Sequence, residues 1–161
     1  MTKQLSSRLE TVFDFINLTT LQLKYQIMAK IGGIEGIGPV FREKLENAGI
    51  LTTEALLEKG AVAAGRATLA ASTGIEEKRI MTFVSRADFM RIKGVGRQFS
   101  ELLQNVDIHT VDQLAAADAT VINAAMTTVN DAKNLTKVVP SIKQIQGFID
   151  VAKGLDAVVS V

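Results

Sequence analysis

The feature that most constrains the fold is an internal repeat at a constant offset of 58 residues. Residues 34–57 align with residues 92–115 without a gap, and ten of the 24 aligned positions are identical. The identical pairs are Ile34/Ile92, Gly36/Gly94, Gly38/Gly96, Phe41/Phe99, Glu43/Glu101, Leu45/Leu103, Asn47/Asn105, Ile50/Ile108, Thr52/Thr110 and Leu56/Leu114. A duplicated segment predicts two similar structural units that pack on each other.

A second match extends the repeat at an offset of 65. The stretches "RIMTFVSRA" and "KQIQGFIDVA" share an I-x-x-F-[VI]-x-x-A pattern, so the second copy has seven extra residues in its middle. This spacing places the apolar residues on one face of a helix that closes each copy. The first repeat is therefore predicted at about 31–89 and the second at about 90–155.

The residues between the glycines indicate an all-α fold. Ala, Leu, Glu, Lys and Gln, which are good helix formers, fill most of these segments. Pro39 suits the first turn of a helix, and Gly49 suits the residue that stops it. Thr52 or Thr53, and Thr110 in the second copy, are predicted to cap the next helices.

Four local expectations complete the prediction. A helix is expected from about Leu21 to Ile31, and Gly60 and Gly65 are expected to mark a loop. The stretch 119–139 is predicted to be helical with indefinite boundaries. The apolar stretch "DAVVSV" at 156–161 is expected to pack as an extended strap.

The apolar-x-Gly-[Ile/Val]-Gly pattern resembles the helix-hairpin-helix motif. Two copies resemble the tandem arrangement of DNA repair and recombination proteins. The stretches "MAKIGGIEGIGPVFREKLENAGILTTEALLEKGA", "SRADFMRIKGVG" and "VPSIKQIQGFIDVAKGL" are similar to a bacterial domain-of-unknown-function family of tandem helix-hairpin-helix modules. This resemblance implies a pseudo-twofold tandem domain over residues 28–161, preceded by an N-terminal helical extension at 1–27. It implies no established activity.

The glycine turns are candidate anion sites, because such a turn leaves N–H groups unpaired at the start of a helix. Residues 86–97 carry four cations and one acid, net +3, whereas residues 34–46 carry net −1. Glu35 stands where the second copy has Lys93. The predicted nucleic-acid-binding residues are therefore Arg91, Lys93, Gly94, Gly96 and Arg97, with Gly36 and Gly38 forming the weaker site. Arg86 and Arg91 could instead be solvated helix charges.

The composition narrows the functional classes. The 161 residues include no cysteine, and the formal net charge is only +1, so any nucleic-acid binding depends on a local patch. His109 is the single histidine, and no motif with metal-ligand or catalytic spacing occurs. We therefore expect a non-enzymatic protein without metal or cofactor. The sequence shows no targeting segment or membrane span, and indicates a cytoplasmic location.

Two functions fit these observations. The first is sequence-independent binding of DNA through its phosphate backbone, mainly at the second turn. The second is a structural or adaptor role in which the repeats and residues 1–27 bind another copy or another protein. An apolar stripe at helical spacing, Leu5, Leu9, Val12 and Ile16, suits either covering the domain's own core or pairing with a second chain.

Overall fold

The computed structural model describes residues 29–161, which form eight α-helices after a short 3-10 turn at Ile31–Gly33. The helices are α1 (Pro39–Asn47), α2 (Thr53–Gly60), α3 (Ala63–Thr73), α4 (Glu77–Phe89), α5 (Arg97–Asn105), α6 (Val111–Ala115), α7 (Ala119–Lys133) and α8 (Ile142–Lys153). The all-α prediction is confirmed for these residues. The predicted extension at 1–27 lies outside them.

The two halves of the described chain repeat one order of elements. Helices α1 and α5, nine residues each, both follow a glycine turn and begin 58 residues apart. A shorter helix, a longer helix and a closing helix follow in both halves, as α2–α4 and α6–α8. The extra residues of the second half lie in α7, with 15 residues against 11 in α3, and in the loop 134–141.

The helix ends also agree between the halves. Thr52 and Thr110 each accept a hydrogen bond from the backbone N–H three residues later, which caps α2 and α6. After α1 the chain reverses at Gly49 with φ +80°, and after α5 it reverses at Asp107 with φ +61°. The offset of 58 therefore holds for backbone conformation as well as for residue identity.

Each half has its own hydrophobic core. The first is formed by Ile31, Ile34, Ile37, Leu45, Ile50, Leu56, Leu69, Ile75, Ile80, Phe83, Val84, Ala87 and Val159. The second is formed by Phe89, Ile92, Val95, Leu102, Leu103, Val111, Leu114, Ala119, Ile122, Met126, Ile145, Ile149 and Ala152. Helix α4 contributes to both, so it connects the two cores.

The loop expected at Gly60 and Gly65 is confirmed only for the two residues between α2 and α3, Ala61 and Val62. Gly60 is the last residue of α2, and Gly65 lies in the first turn of α3. A Cβ at position 65 would lie 2.0 Å from the carbonyl oxygen of Lys59, and one at position 60 would lie 2.6 Å from a methyl of Val84. Gly65 therefore allows close packing at the α2–α3 corner, and Gly60 allows close packing of α2 on α4.

Two other boundaries are now defined. The stretch 119–139 divides into α7 and an irregular segment, and the left-handed Asn134 ends the helix. The prediction of a helix that extends to Ile31 is wrong over residues 29–31, which are not α-helical. Lys30 there forms an isolated antiparallel bridge with Thr52, and Ile31 begins the 3-10 turn.

The segment after α8 returns to the first half, as expected for a strap. Val159 is buried in the first core, and the Ser160 N–H donates to the carbonyl oxygen of Ala61 at 3.0 Å. Arg91 Nη2 also donates to the carbonyl oxygen of Asp156 at 3.1 Å. Residues 154–161 therefore link the end of the second half to the core of the first.

Candidate nucleic-acid interface

The two glycine turns share one backbone conformation. Gly36 has φ +84° and Gly94 has φ +97°, a region that L side chains rarely adopt. Two residues later, Gly38 and Gly96 are extended and immediately precede α1 and α5. Each turn is thus a left-handed glycine followed by an extended glycine at a helix start.

An equivalent phenylalanine packs against the left-handed glycine of each turn. A Cβ on Gly36 would lie 3.4 Å from the Phe83 ring, and one on Gly94 would lie 3.1 Å from the Phe148 ring. These rings in turn contact the first helix of their half, as Phe41–Phe83 at 5.6 Å and Phe99–Phe148 at 6.2 Å between centroids. The closing helices therefore determine where the turns lie.

The extended glycines are open on their outer side. A Cβ at Gly38 or Gly96 would meet no atom within 4 Å. Neither residue has a side chain that could cap its helix, so the first-turn N–H groups have no capping partner from this position. In α1 the first residue is Pro39, which has no N–H; in α5 it is Arg97, which has one. The second turn therefore offers one more backbone donor to an anion.

Arg86, counted among the cations of the second turn, points inward. Its guanidinium donates to the backbone carbonyl of Glu35 at 2.8 Å and to Gln104 Oε1 at 2.6 Å, and lies 3.7 Å from Glu101. The residue is 9% exposed, and burial lowers the pKa of Arg86, partly offset by the Glu101 and Glu35 charges. Arg86 thus attaches the first turn to α5 rather than facing solvent.

Arg91 is also engaged within the protein. Its Nη1 lies 2.6 Å from Asp88 Oδ1, and Asp88 is buried and accepts a second hydrogen bond from the Val111 N–H at 3.1 Å. Together with its bond to the Asp156 carbonyl, this holds Arg91 against the end of α4. The reading of Arg86 and Arg91 as freely solvated charges is wrong, because both are bound by internal acceptors.

Lys93 and Arg97 remain at the surface of the second turn. Lys93 is exposed, and the Arg97 side chain is 58% exposed. Arg97 Nε pairs at 2.9 Å with Oε2 of Glu35, which belongs to the first turn. The two turns therefore lie side by side, with a carboxylate of one bound to a cation of the other.

A shallow cavity lies where these groups meet. It has a volume of about 480 Å³ and is lined by Glu35, Gly94, Gly96, Arg97, Gln98 and Phe99. The predicted residues Gly94, Gly96 and Arg97 line it. Lys93, Gly36, Gly38 and Arg91 do not, although Lys93 and Gly36 flank it in sequence.

Sequence reasoning missed two roles at this site. Gln98 lines the cavity at the second position of α5, and no motif distinguishes it. The connecting role of Arg86 had a signal, because this residue lies three after Phe83 and directly before Ala87 on the apolar face of α4. The stem of a long cation beside such a stripe packs along apolar surface, so this position indicates that the residue is not fully solvated.

No helix within residues 29–161 is long and apolar enough to cross a bilayer. Within the same range, no three His, Asp or Glu side chains cluster as metal ligands would.

No curated protein and no solved structure matches the chain. A match to a family described as Domain of unknown function (DUF4332) covers residues 35–155, which include both glycine turns and all eight helices. Since this range is most of the sequence, the chain belongs to the DUF4332 family.

Proposed function

We propose that the two glycine turns are helix-hairpin-helix elements in a pseudo-twofold tandem, and that the protein binds nucleic-acid backbones through the second of them. The repeated turn geometry, the repeated nine-residue helix and the repeated Phe–Phe contact support the tandem. The lateral contact of the turns through Glu35, Arg86 and Arg97 supports a single binding face.

The observation that carries the proposal is the open start of α5. The Gly96 cap leaves first-turn N–H groups accessible, and the helix dipole adds positive potential there. Lys93 and Arg97 add two cations at the same surface. A phosphate diester has the matching charge and acceptor oxygens, and these contacts read no base edge. Binding is therefore sequence-independent, and no catalytic group is required.

Salt-dependent binding to a generic DNA duplex tests this function. With two or three phosphate contacts, we expect log Kd to change with log salt by a slope of about 2 to 3. The double variant Lys93→Glu/Arg97→Glu should abolish measurable binding. A control with the same charge change, Lys59→Glu/Lys153→Glu, uses exposed residues of α2 and α8 and should bind within about twofold of the parent.

Fluorescence anisotropy at three salt concentrations measures all three proteins. If both double variants lost the same affinity for the duplex, net charge alone would explain the loss. That result would contradict a site at the second turn. Absence of binding by the parent at low salt would contradict the function itself.

The second candidate, a structural or adaptor protein, is favoured by the internal pairing of Arg86 and Arg91. Their pairing leaves the second turn with fewer free cations than its sequence charge of +3 suggests. Under this function the helical repeats bind protein partners. The same titration separates the two candidates, because a purely adaptor protein shows no salt-dependent duplex binding.

A further inference from the structure

A mostly apolar groove of about 460 Å³ runs along α2, away from the glycine turns. Its apolar lining comes from Leu57, Ala61, Ala87, Met90 and Val158. Val158 is 41% exposed, although its neighbour Val159 is buried. The α2 residues that line the groove extend from position 53 to 61, about 12 Å at 1.5 Å per residue. The groove therefore offers a surface of about two helical turns to another apolar element.

The chain enters the described structure at one end of this groove. Ala29 lines the groove, and its carbonyl oxygen accepts a hydrogen bond from the Thr53 N–H at 3.0 Å. The adjacent bridge between Lys30 and Thr52 fixes the direction of the backbone. Residues 1–28 consequently connect to the domain beside the start of α2, where the groove begins.

The sequence of residues 1–28 fits such a surface. Leu5, Leu9, Val12 and Ile16 form a stripe at helical spacing, and a helix over 5–16 would be about 18 Å long. Twelve residues, 17–28, separate this stripe from Ala29, which is ample length to bring it back over α2. An exposed stripe of this kind is unfavourable in water, so it requires a partner surface.

Charge does not select the occupant of the groove. The charged residues of its lining are Glu54, Glu58 and Arg91, and Arg91 is already paired with Asp88. The stripe segment 5–16 carries one cation against two acids, a net charge of −1. The apolar stripe and the attachment at Ala29, rather than charge, therefore favour residues 1–28 as the occupant.

We propose that residues 1–28 occupy the groove of their own chain, with the stripe Leu5, Leu9, Val12 and Ile16 against its apolar lining. Attachment at Ala29 favours this occupant over the same segment of a second copy, because a short tether gives an effective concentration of about millimolar. The groove shares no lining residue with the cavity of the proposed nucleic-acid interface. The two proposals can therefore be tested independently.

Cysteine cross-linking of the full chain tests the proposal, since the protein has no cysteine of its own. The pair Val12→Cys/Glu58→Cys places one thiol on the stripe and one at the exposed edge of the groove. In the control pair, Val12→Cys/Val121→Cys, the second thiol is exposed on α7 and outside the groove. We expect a short bismaleimide to link the first pair within one chain about tenfold faster than the control.

Non-reducing gels and peptide mass spectrometry identify the products. A mainly interchain product would assign the groove to a second copy and overturn the proposal, as would equal rates in the two pairs. Tyr25 gives a second readout without substitution, because it is the single tyrosine and the chain has no tryptophan. Its fluorescence should change at the same urea concentration as the helical circular dichroism. A Tyr25 transition at clearly lower urea would also overturn the proposal.

Discussion

At the scale of single residues, the Glu35–Arg97 ion pair determines how accessible Arg97 is to an anion at the second turn. The 2.9 Å pair places a carboxylate where a phosphate oxygen would bind Arg97. Both side chains are partly exposed, so the pair itself contributes little to stability. Its larger effect would be on the proposed phosphate binding, because an incoming phosphate would have to displace or approach a negative charge.

Replacing that carboxylate should strengthen duplex binding. In Glu35→Gln the repulsion between the carboxylate and a phosphate at ~4 Å is removed, which in a water-like dielectric is worth about 1 kcal/mol, or about fivefold in Kd. Glu43→Gln makes the same charge change at an exposed residue of α1 and should alter Kd by less than about twofold. Anisotropy titrations at low salt compare the two. Equal effects of both substitutions would mean that net charge, and not the Glu35–Arg97 pair, controls binding.

At the scale of an element, the two glycines of each turn have different roles. Glycine is required at position 94 for two reasons. Its φ is positive, and a Cβ on this residue would lie only 3.1 Å from the Phe148 ring. Gly96 has φ −90°, an ordinary value for a residue with a side chain, and open space around it. The first glycine therefore serves folding, and the second leaves room in front of α5.

The same substitution should separate these roles. Gly94→Ser should lower the free energy of unfolding by at least about 1–2 kcal/mol, because a non-glycine residue is strained in the left-handed region. Gly96→Ser should leave stability within about 0.5 kcal/mol or raise it, since Ser is a favoured N-cap. It should nevertheless weaken duplex binding, because its hydroxyl occupies the first-turn donors.

Urea unfolding and anisotropy measure the two effects. Unchanged duplex binding by a stable Gly96→Ser protein would place the nucleic-acid contact elsewhere. A Gly94→Ser protein as stable as the parent would contradict the strain assigned to position 94.

At the scale of the whole molecule, the two cores are joined at two places. Helix α4 contributes to both cores, and the segment after α8 returns Val159 to the first core. Asp88, buried at the end of α4, accepts the Val111 N–H at the start of α6 and binds Arg91. These links predict one cooperative unfolding transition rather than two.

Disrupting the contact of Val159 with the first core should destabilise that core. Val159→Asp places a carboxylate in an apolar site and should lower the free energy of unfolding by about 2–3 kcal/mol. Val161→Asp, two residues later and 73% exposed, should change it by less than about 0.5 kcal/mol. Urea denaturation followed by circular dichroism compares the variants. Equal stability of the two proteins would show that the strap contributes nothing to the first core.

The sequence predicted the elements well and the side-chain partners poorly. The repeat located both turns, and Pro39, Gly49 and Thr110 marked helix ends, because these signals depend on local backbone preferences. Gly65 is typical of a loop by residue type, but it lies in α3, and its closeness to Lys59 arises only when α2 and α3 pack.

The backbone of the candidate site was predicted from local patterns, but the partners of its charged side chains were not. Local patterning located Gly94 and Gly96, but the direction of a long cation depends on which acceptors the fold brings near it. Arg86 donates to the carbonyl of Glu35, 51 residues away. Arg91 pairs with Asp88, three residues away, and donates to the carbonyl of Asp156, 65 residues away. Charge counted along a segment therefore overestimated the charge that the surface presents.

The return of Val159 to the first core also affects the order of events during synthesis. Domains emerge from the ribosome amino-terminal part first. The first half leaves well before residue 159, yet its core stays incomplete until that valine arrives. During translation, the apolar surface that Val159 covers thus stays exposed until the second half has been made.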